Sequence, residues 1–317
     1  LKGIMGGEDS RVGGPAMAGV GVNIAAGPCP WRARCSRMDR YRIVLEPGAG
    51  RRHYWRDLWQ YRELFGFLAW RDILVRYKQT AIGISWSLIK PLLTLAVMAF
   101  LGWLFESDVP GGVPRLLLVA AATLPWTFFS TAFSEASNSL IANSNLLSKV
   151  YFPRMIVPAS AVLVCVIDFL ISLALVLLIM LAYQFPPGPQ LLLLPFFLLL
   201  ALVPALGAGL LIAALNVKYR DFRYIVPFIV QFGLYVSPVA FTSTDILGNE
   251  RIPAVLQFLY ALNPMVGVID GFRWCLLGAA TPLHLPGFLS SMGIGLFLLV
   301  AGFRYFRRME RQFADVI

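Results

Sequence analysis

Charged residues are scarce in this chain. Only 14% of its 317 residues are Asp, Glu, Lys or Arg, whereas a typical soluble domain carries about 25%. The deficit argues against an ordinary soluble fold and for a chain surrounded by hydrocarbon over much of its length. In a membrane protein, a net charge of +10 more often reflects Lys and Arg kept on the cytoplasmic side than a nucleic-acid partner. We therefore expect no nucleic-acid partner.

Residues that hold metals are equally few. The two histidines, His53 and His284, are far apart in the sequence, and the four cysteines are scattered with no CxxC pair. This composition argues against a histidine-based metal centre, a zinc site and a disulfide framework. We expect no metal site in the chain.

A phosphate-binding loop is also missing from the sequence. It contains no GxxxxGK[ST] motif and no Gly-Lys pair, and these are the residues that would cradle nucleotide phosphates. If the protein's activity is driven by ATP, another polypeptide supplies the nucleotide site. We therefore expect no catalytic residues and no cofactor in this chain.

Long apolar runs are what the sequence has in abundance. Hydrophobic residues make up 58% of the chain, with a mean hydropathy of +0.71. Runs of about 20 apolar residues are long enough to cross a bilayer as helices. The pattern predicts an all-α integral membrane protein with six transmembrane helices. These predicted spans are residues 84–105, 116–133, 156–183, 191–215, 224–241 and 288–306.

The regions before the first predicted span differ in composition. Residues 1–38 are rich in Gly, Ala and Pro and lack the apolar core of a signal peptide. We interpret them as a disordered extension, or as residues that precede the true start. Residues 39–82 are interpreted as a cytoplasmic arm and an interfacial helix, and residues 83–317 as the six-helix transmembrane domain.

An amphipathic helix is predicted over residues 55–79. Apolar residues recur on one side at helical spacing, and tryptophans, which favour the headgroup layer, accompany them. The pattern indicates a helix lying on the membrane surface; the alternative is a soluble helix that packs on a partner. The apolar side comprises Leu58, Tyr61, Leu64, Phe65 and Leu68, and the tryptophans are Trp55, Trp59 and Trp70.

The distribution of positive charge predicts the orientation. With the N-terminal region inside, segments 39–90, 137–155, 216–223 and 303–317 hold nineteen lysines and arginines. The opposite side then holds only Arg115, Arg251 and Arg273. Because cytoplasmic loops of membrane proteins carry the excess of these residues, we expect both termini in the cytoplasm.

Residues 252–278 do not fit a simple span. This apolar stretch is broken at Asn263-Pro264 and carries Asp270 and Arg273, and neither half is long enough to span alone. If the whole stretch crossed once, the C-terminal arginines would lie outside, against the charge rule. We expect a pair of short re-entrant helices that dip into the outer leaflet before the last span.

Three ionisable residues lie in or near the predicted spans. Such groups cost free energy in hydrocarbon and are functional candidates by default. Lys90 is within reach of the cytoplasmic surface and is interpreted as an anchor. Glu135 lies at the cytoplasmic end of the second span, where water can solvate it. Asp168 is deeper and needs a polar partner, so we expect structural pairing rather than a proton relay.

Four stretches in order carry a resemblance to a known family. They are WRDILVRYKQTAIGISWSLIKPLL (70–93), NSNLLSKVYFPRMIVPAS (143–160), LNVKYRDFRYIVPFIVQFGLYVSPVAF (215–241) and LNPMVGVIDGFRW (262–274). Together with the hydropathy, they make residues 40–317 similar to membrane subunits of type-2 ABC exporters for O-antigen, capsule and teichoic acid. The resemblance implies a permease subunit of the bacterial cytoplasmic (inner) membrane that exports a polysaccharide or lipid-linked glycan, as in lipopolysaccharide biosynthesis.

The resemblance also implies partners and sites. Two permease copies would assemble with two ATPase subunits, which would bind ATP and Mg, while lipid and a lipid-linked glycan contact the permease. A coupling helix would dock on the ATPase, a second cytoplasmic turn would contact it, and the short outer helices would form a gate. The implied coupling residues are Asn143, Leu146, Leu147, Lys149, Tyr151, Phe152 and Arg154; the second contact is Lys218, Tyr219, Arg220 and Asp221; the gate residues are Asn263, Pro264, Asp270 and Arg273.

Aromatic residues are the remaining candidates. Tyr151 and Phe152 look exposed and suit a protein interface, although they could instead sit at the headgroup layer. A glycan conduit needs rings on which sugar faces pack, although aromatics at span ends are usually interfacial. Pro227, Gly233 and Pro238 make the fifth span the one expected to kink. Candidate channel-lining residues are Trp86, Trp103, Trp126, Phe129, Phe133, Tyr235 and Phe241.

Two alternatives stay open at the level of sequence. One is an exporter of drugs or other small amphiphiles on the same architecture. The other is a membrane-embedded glycosyltransferase or acyltransferase, although His53 and His284 fall on opposite predicted sides and no DxD pair occurs. A secondary transporter would more usually show a paired charge relay or repeated halves.

Overall fold

Helices account for the regular structure of the chain, and no strand occurs in the part that the structure describes. The computed structural model describes residues 54–78, 89, 91–97, 100, 113–150, 152–219, 221–247, 252–278, 281 and 283–310. In chain order the helices are α1 (Tyr54–Gln60), α2 (Arg62–Lys78), α3 (Arg115–Ala142), α4 (Ser144–Leu147), α5 (Ile156–Ala182), a 3-10 helix (Pro189–Leu193), α6 (Leu194–Lys218), α7 (Phe222–Val236), α8 (Ser243–Leu247), α9 (Ala254–Ala261), α10 (Pro264–Leu277) and α11 (Leu285–Met309).

Four of the helical stretches are long and apolar enough to cross a bilayer: α3, α5, α6 with the preceding 3-10 turn, and α11. They contain 25 to 30 residues each, which at ~1.5 Å per residue exceeds the ~30 Å hydrocarbon core. The second, third, fourth and sixth spans predicted from the sequence are thereby confirmed as long apolar helices. The predicted first span, residues 84–105, lies largely outside the described residues, although residues 91–97 are helical.

Helix α3 continues beyond its predicted end at residue 133. Serine and asparagine side chains in the added turns bond to carbonyls of their own helix: Ser137 Oγ to Phe133 O at 2.6 Å and Asn138 Nδ2 to Ser134 O at 2.9 Å. Because these polar groups are satisfied locally, they do not end the helix.

Helix α7 is shorter than the sequence suggested. The predicted span 224–241 ends as a helix at Val236, and Ser237 is extended with φ −86° and ψ 151°. The cause is Pro238, because a proline ring disfavours the helical conformation in the residue before it. At 15 residues, the helix rises only ~22 Å.

Helices α9 and α10 form a bent pair. Their axes differ by 75° at the break around Asn263. The Asn263 Oδ1 atom accepts a hydrogen bond from the Met265 N–H at 3.0 Å, which caps α10, and Pro264 at its first turn needs no N–H partner. The break predicted at Asn263-Pro264 is therefore confirmed as a helix boundary.

Small residues allow the long helices to approach one another closely. A Cβ atom on Gly302 of α11 would collide with the backbone oxygen of Gly207 on α6, and one on Gly209 would come 2.6 Å from Ala136 Cβ on α3. Backbone-to-backbone approach of this kind is how helices associate in a membrane, where no hydrophobic effect drives them together. The packing makes α3 the central helix, and most of its apolar side chains are buried.

A second group of buried residues closes one end of the bundle, and we call it the end cluster. It joins the last turns of α3 and α11, the C-terminal half of α6, the start of α5 and the side of α2. Its buried members include Leu68, Leu140, Leu147, Phe152, Ile156, Leu210, Phe306 and Met309. The turns that follow α3 and α6 therefore meet at the same end of the bundle.

The apolar side predicted for the amphipathic helix is the side that packs on this end cluster. Leu68 is 2% exposed, and Leu58, Tyr61, Leu64 and Phe65 lie against the cluster. A second set of large apolar residues faces outward from the same helices. They are Trp59, Phe67 and Trp70, each at least 60% exposed.

Candidate functional site

The loop between α3 and α5, residues 143–155, is folded against the bundle rather than extended from it. Phe152 is only 4% exposed and Leu147 7%, and both belong to the end cluster with Ile156 and Phe306. The expectation that Phe152 is an exposed interface aromatic is wrong, because its ring is buried in the end cluster. Tyr151 lies outside the described residues.

Polar contacts hold the same loop in place at both of its ends. The Arg154 backbone N–H donates to Glu310 Oε1 at 2.9 Å, and Arg154 Nη1 donates to Glu310 O at 3.2 Å. At the other end, Asn143 Oδ1 accepts from Arg71 Nη2 at 2.8 Å. Leu146 is half-buried. The surface that the loop leaves open comprises Asn145, Ser148, Lys149 and Val150.

The turn between α6 and α7 lies at the same end. Asn216 Nδ2 donates to Ser137 O at 2.8 Å, which fixes the end of α6 against α3. The Lys218 ammonium lies 5.0 Å from the centre of the Tyr219 ring, and Tyr219 is 48% exposed. Asp221 is exposed, and Arg220 lies outside the described residues. The structure thus brings two of the predicted contact segments to one end.

A polar cluster joins α2 to the bundle beside this end. Arg76 contacts two carboxylates, Glu135 on α3 and Asp168 on α5, each at 3.3 Å. Tyr77 donates a hydrogen bond to Asp168 Oδ1 at 2.5 Å. The expected pairing of Asp168 is confirmed. Sequence reasoning did not find its partners, because they lie on a helix that precedes the first span.

The electrostatics of Arg76 follow from this arrangement. Burial acts against its charge, but the attraction of Asp168 and then of Glu135 outweighs the burial and raises the pKa of Arg76 above its ordinary value. Arg76 stays charged at any physiological pH. The ion pairs therefore persist as long as the carboxylates are ionised.

The residues expected at the outer gate tie α10 to the chain that follows α7. Ser243 Oγ donates to Asp270 Oδ1 at 2.7 Å, and Asn263 Nδ2 donates to Ser237 Oγ at 3.0 Å. Arg273 is 2% exposed, and its Nη2 donates to Val239 O at 3.2 Å. These three polar side chains hold residues 237–243 against α10.

The contacts of α10 lie mainly in one half of the bundle. Arg273 Nε donates to Leu118 O at 3.4 Å, in the first turn of α3, and Gly267 N donates to Ser291 Oγ at 3.0 Å, near the start of α11. The Phe272 ring meets Phe197, near the start of α6, at 6.5 Å. These helix starts lie at the end opposite the end cluster.

Three of the predicted channel aromatics are core residues. Trp126, Phe129 and Phe133 are 5%, 8% and 1% exposed. Phe129 stacks on Phe133 at 5.9 Å between ring centres, and a Cβ on Gly233 of α7 would come 2.7 Å from the Trp126 ring. The expectation that these three rings are open to a substrate is wrong, because α3 is central and its neighbours cover them.

The other predicted channel aromatics are distributed differently. Tyr235 is 63% exposed, whereas Phe241 is half-buried and packs on Tyr260 at 6.2 Å. Trp86 and Trp103 lie outside the described residues. Only Tyr235 of this set is therefore seen on an open surface.

Tyr235 belongs to a row of exposed rings along α7, which we call the aromatic ridge. Its members, Tyr224, Phe228, Phe232 and Tyr235, are 79%, 68%, 60% and 63% exposed. Phe228 and Phe232 stack with 6.0 Å between ring centres and 6° between planes. Sequence reasoning missed the first three, although steps of four, four and three residues along the ridge mark one helix face.

Metal-binding side chains do not gather in the described ranges: no three His, Cys, Asp or Glu residues there come together in an arrangement suited to an ion. The features that stand out are instead the two turns at one end, the polar cluster of α2, and the aromatic ridge. All of them are carried by a bundle whose long apolar helices are those of a multi-pass membrane protein.

Comparison with protein families agrees with that class. Residues 63–277, from α2 to the end of α10, match the ABC-2 type transporter family. The chain belongs to this family, as the sequence resemblance had indicated.

Individual relatives extend the match beyond the family region. An O-antigen export system permease protein RfbA from Myxococcus xanthus is 28% identical over 263 residues, covering 83% of this chain and 98% of the relative. A Klebsiella pneumoniae protein of the same name is 23% identical over 250 residues, covering 78% and 92% of the two chains. The capsule polysaccharide export inner-membrane protein CtrC from Neisseria meningitidis is 23% identical over 250 residues, covering 75% of this chain and 88% of the relative.

Proposed function

We propose that this chain is the permease subunit of an ATP-driven exporter that moves a polysaccharide or lipid-linked glycan across the cytoplasmic membrane. The observation that carries the substrate class is similarity over nearly the whole length of relatives named for O-antigen and capsule polysaccharide export. Because the similarity includes both the bundle and the turns at its end, it concerns the transport machinery as a whole rather than one shared helix.

A separate ATPase supplies the energy in this proposal. The chain has no phosphate-binding loop of its own, and its family transports with a partner. The docking surface that we propose is the exposed part of the loop after α3, with Lys149 and Val150 at its centre, together with Tyr219 and Asp221 from the neighbouring turn. Two copies of this chain and two ATPase subunits form the working unit.

The membrane topology that we propose has six spans. They are the segment 84–105, the four long helices, and α7, while α9 and α10 form a re-entrant pair in the outer leaflet. The contacts of α10 with the starts of α3, α6 and α11 support this arrangement, because a helix that crossed fully would run to the opposite end. A cysteine replacing Leu283 should react with impermeant reagents only from outside, and labelling only from the cytoplasm would contradict this topology.

Both termini then lie in the cytoplasm, and α2 lies at the inner surface of the membrane. The outward residues Trp59, Phe67 and Trp70 support the position of α2, since such side chains favour the boundary between headgroups and hydrocarbon. The glycan is proposed to pass along the aromatic ridge of α7, where sugar faces can pack on rings. In a dimer, the ridge would face the conduit.

The experiment that tests this function is purification of the tagged chain from its native membranes under mild detergent. We expect an ATPase subunit with a phosphate-binding loop to co-purify in about equal amount, with ATP hydrolysis in the purified complex. A Lys149→Glu variant should lower the recovered ATPase, because it reverses the charge at the proposed contact. If the wild-type chain purified alone and acted on a lipid-linked sugar, the proposal would be replaced by the membrane-enzyme alternative.

A further inference from the structure

Helix α2 is joined to the transmembrane bundle by polar contacts at two levels. Near its middle, Arg71 Nη2 donates to Asn143 Oδ1 at 2.8 Å. Five residues further on, Arg76 pairs with Glu135 and Asp168, each at 3.3 Å. Tyr77 adds a hydrogen bond to Asp168. We call these three residues of α2 and their three partners on the bundle the clasp.

The clasp goes beyond what simple attachment of α2 requires. The apolar side of the helix already packs on the end cluster through Leu64, Phe65 and Leu68. An ionised aspartate inside an apolar helix is costly unless it is paired, and Asp168 lies twelve residues into α5. Arg76 and Tyr77, two of its partners, lie on α2, so the position of α2 contributes to the stabilisation of Asp168.

The charges of the clasp argue against binding of an anionic ligand. Arg76 faces two carboxylates, so its positive charge is more than balanced by Glu135 and Asp168. Arg71 is likewise paired with Asp72 at 2.7 Å. A phosphate or pyrophosphate group would meet net negative charge beside Arg76. The clasp is therefore suited to joining elements of the chain.

The elements that the clasp joins are those through which movement would pass. Asn143 is the first residue of the loop that carries the proposed ATPase contact. After α2, the chain continues to residues 91–97, where Leu95 is buried at 4% and borders a small cavity with Thr123 of α3 and Val176 of α5. Helix α2 is thus tied to the loop through Arg71 and Asn143, and residue Leu95, later in the chain, is buried in the bundle.

We propose that Arg76 is a positioning residue that couples the loop at residues 143–155 to the transmembrane bundle through α2. While the clasp is closed, displacement of the loop by the ATPase is passed through α2 to α3 and α5. When the clasp is broken, the loop can move without α2. This inference rests on the proposed transport function, because it assigns a route for the force that the ATPase supplies.

The test compares two matched variants of the full chain, each in its complex with the co-purifying ATPase. Arg76→Gln removes the cation of the clasp, and Arg62→Gln makes the same change on the same helix. Arg62 is exposed and lies 5.7 Å from the Trp59 ring, away from the clasp. Three quantities are measured: the ATPase recovered with the chain, the rate of ATP hydrolysis, and the glycan that reaches the cell surface.

We expect Arg76→Gln to keep its ATPase and its ATP hydrolysis while glycan exported per ATP falls about fivefold or more relative to Arg62→Gln, the scale of a lost coupling between sites. Arg76→Lys, which keeps the charge, should restore part of the export. The double variant Arg76→Gln with Asp168→Asn should export no less than the single variant, because it leaves no uncompensated aspartate.

Each other result overturns the inference in a recognisable way. If Arg76→Gln exports glycan at the rate of Arg62→Gln, the clasp does not couple the loop to the bundle. If Arg76→Gln accumulates poorly, the Tyr77→Phe variant is tested instead, because it removes only the hydroxyl that bonds to Asp168 and keeps the ring. Unchanged export of glycan per ATP in Tyr77→Phe contradicts the proposal. If the wild-type chain binds no ATPase or exports no glycan, the proposed function itself fails, which is a distinct outcome.

Discussion

Phe152 is a residue for which the structure changes the interpretation drawn from the sequence. In the sequence it stands beside Tyr151 in a loop between two spans, where aromatics commonly mark an interface. In the structure it is 4% exposed and packs with Leu147 and Ile156 in the end cluster. Phe152 helps to hold the loop in shape, and the docking surface that we propose lies on its exposed neighbours, among them Lys149 and Val150.

Replacing Phe152 by alanine should therefore lower the stability of the whole chain. The cavity left behind predicts a loss of about 3–5 kcal/mol, measured as a lower midpoint of thermal unfolding in detergent. Val150→Ala is the matched control, because Val150 is 50% exposed in the same loop and should leave the midpoint unchanged. Equal midpoints for Phe152→Ala and Val150→Ala would contradict the burial of the ring.

At the scale of helices, the contact between α6 and α11 depends on glycine. A Cβ on Gly302 would collide with the backbone of Gly207, whereas a Cβ on Gly293, on the same helix, would meet nothing within 4 Å. Gly302→Leu should destabilise the bundle by about 1–3 kcal/mol or more through overpacking. Gly293→Leu should be tolerated. The measurement is the midpoint of thermal unfolding of each variant. Similar midpoints for both would show that α11 does not pack on α6 through Gly302.

The aromatic ridge of α7 is a second feature that belongs to a whole helix. If a sugar face on a ring contributes about as much as an aromatic pair, ~0.5–1.5 kcal/mol, Phe232→Ala should lower glycan export about two- to tenfold. Phe297→Ala is the control, since Phe297 is 69% exposed on α11 outside the ridge. Export that is equal in both variants would mean that the ridge faces lipid.

Much of the helix pattern could be predicted because a bilayer imposes long apolar runs. The bounds of α5 and α11 and the break at Asn263 follow from local sequence. Which residues of α3 are buried could not be predicted, since Trp126 is covered by the neighbouring helices and the central position of α3 among them is not encoded in its own sequence. The partners of Asp168 were missed for a related reason: they depend on where α2 packs, which no local periodicity encodes.

At the scale of the whole molecule, the structure places two groups of features toward opposite ends of the helical bundle. One end gathers the loop after α3, the turn after α6 and the clasp of α2 around the end cluster. The opposite half holds α10 and its polar ties to residues 237–243. A transporter needs such a division, because the site that receives force and the site that opens to the far side must be distinct yet connected.

The most direct test of the account is depletion of this chain in its native cell, followed by measurement of lipid-linked glycan on each side of the cytoplasmic membrane. An export permease predicts that the glycan is still synthesised, accumulates on the cytoplasmic face and disappears from the cell surface. Restoring the wild-type chain should clear the accumulated glycan. If depletion instead stopped synthesis of the glycan, or left its surface level unchanged, the chain would not be the exporter.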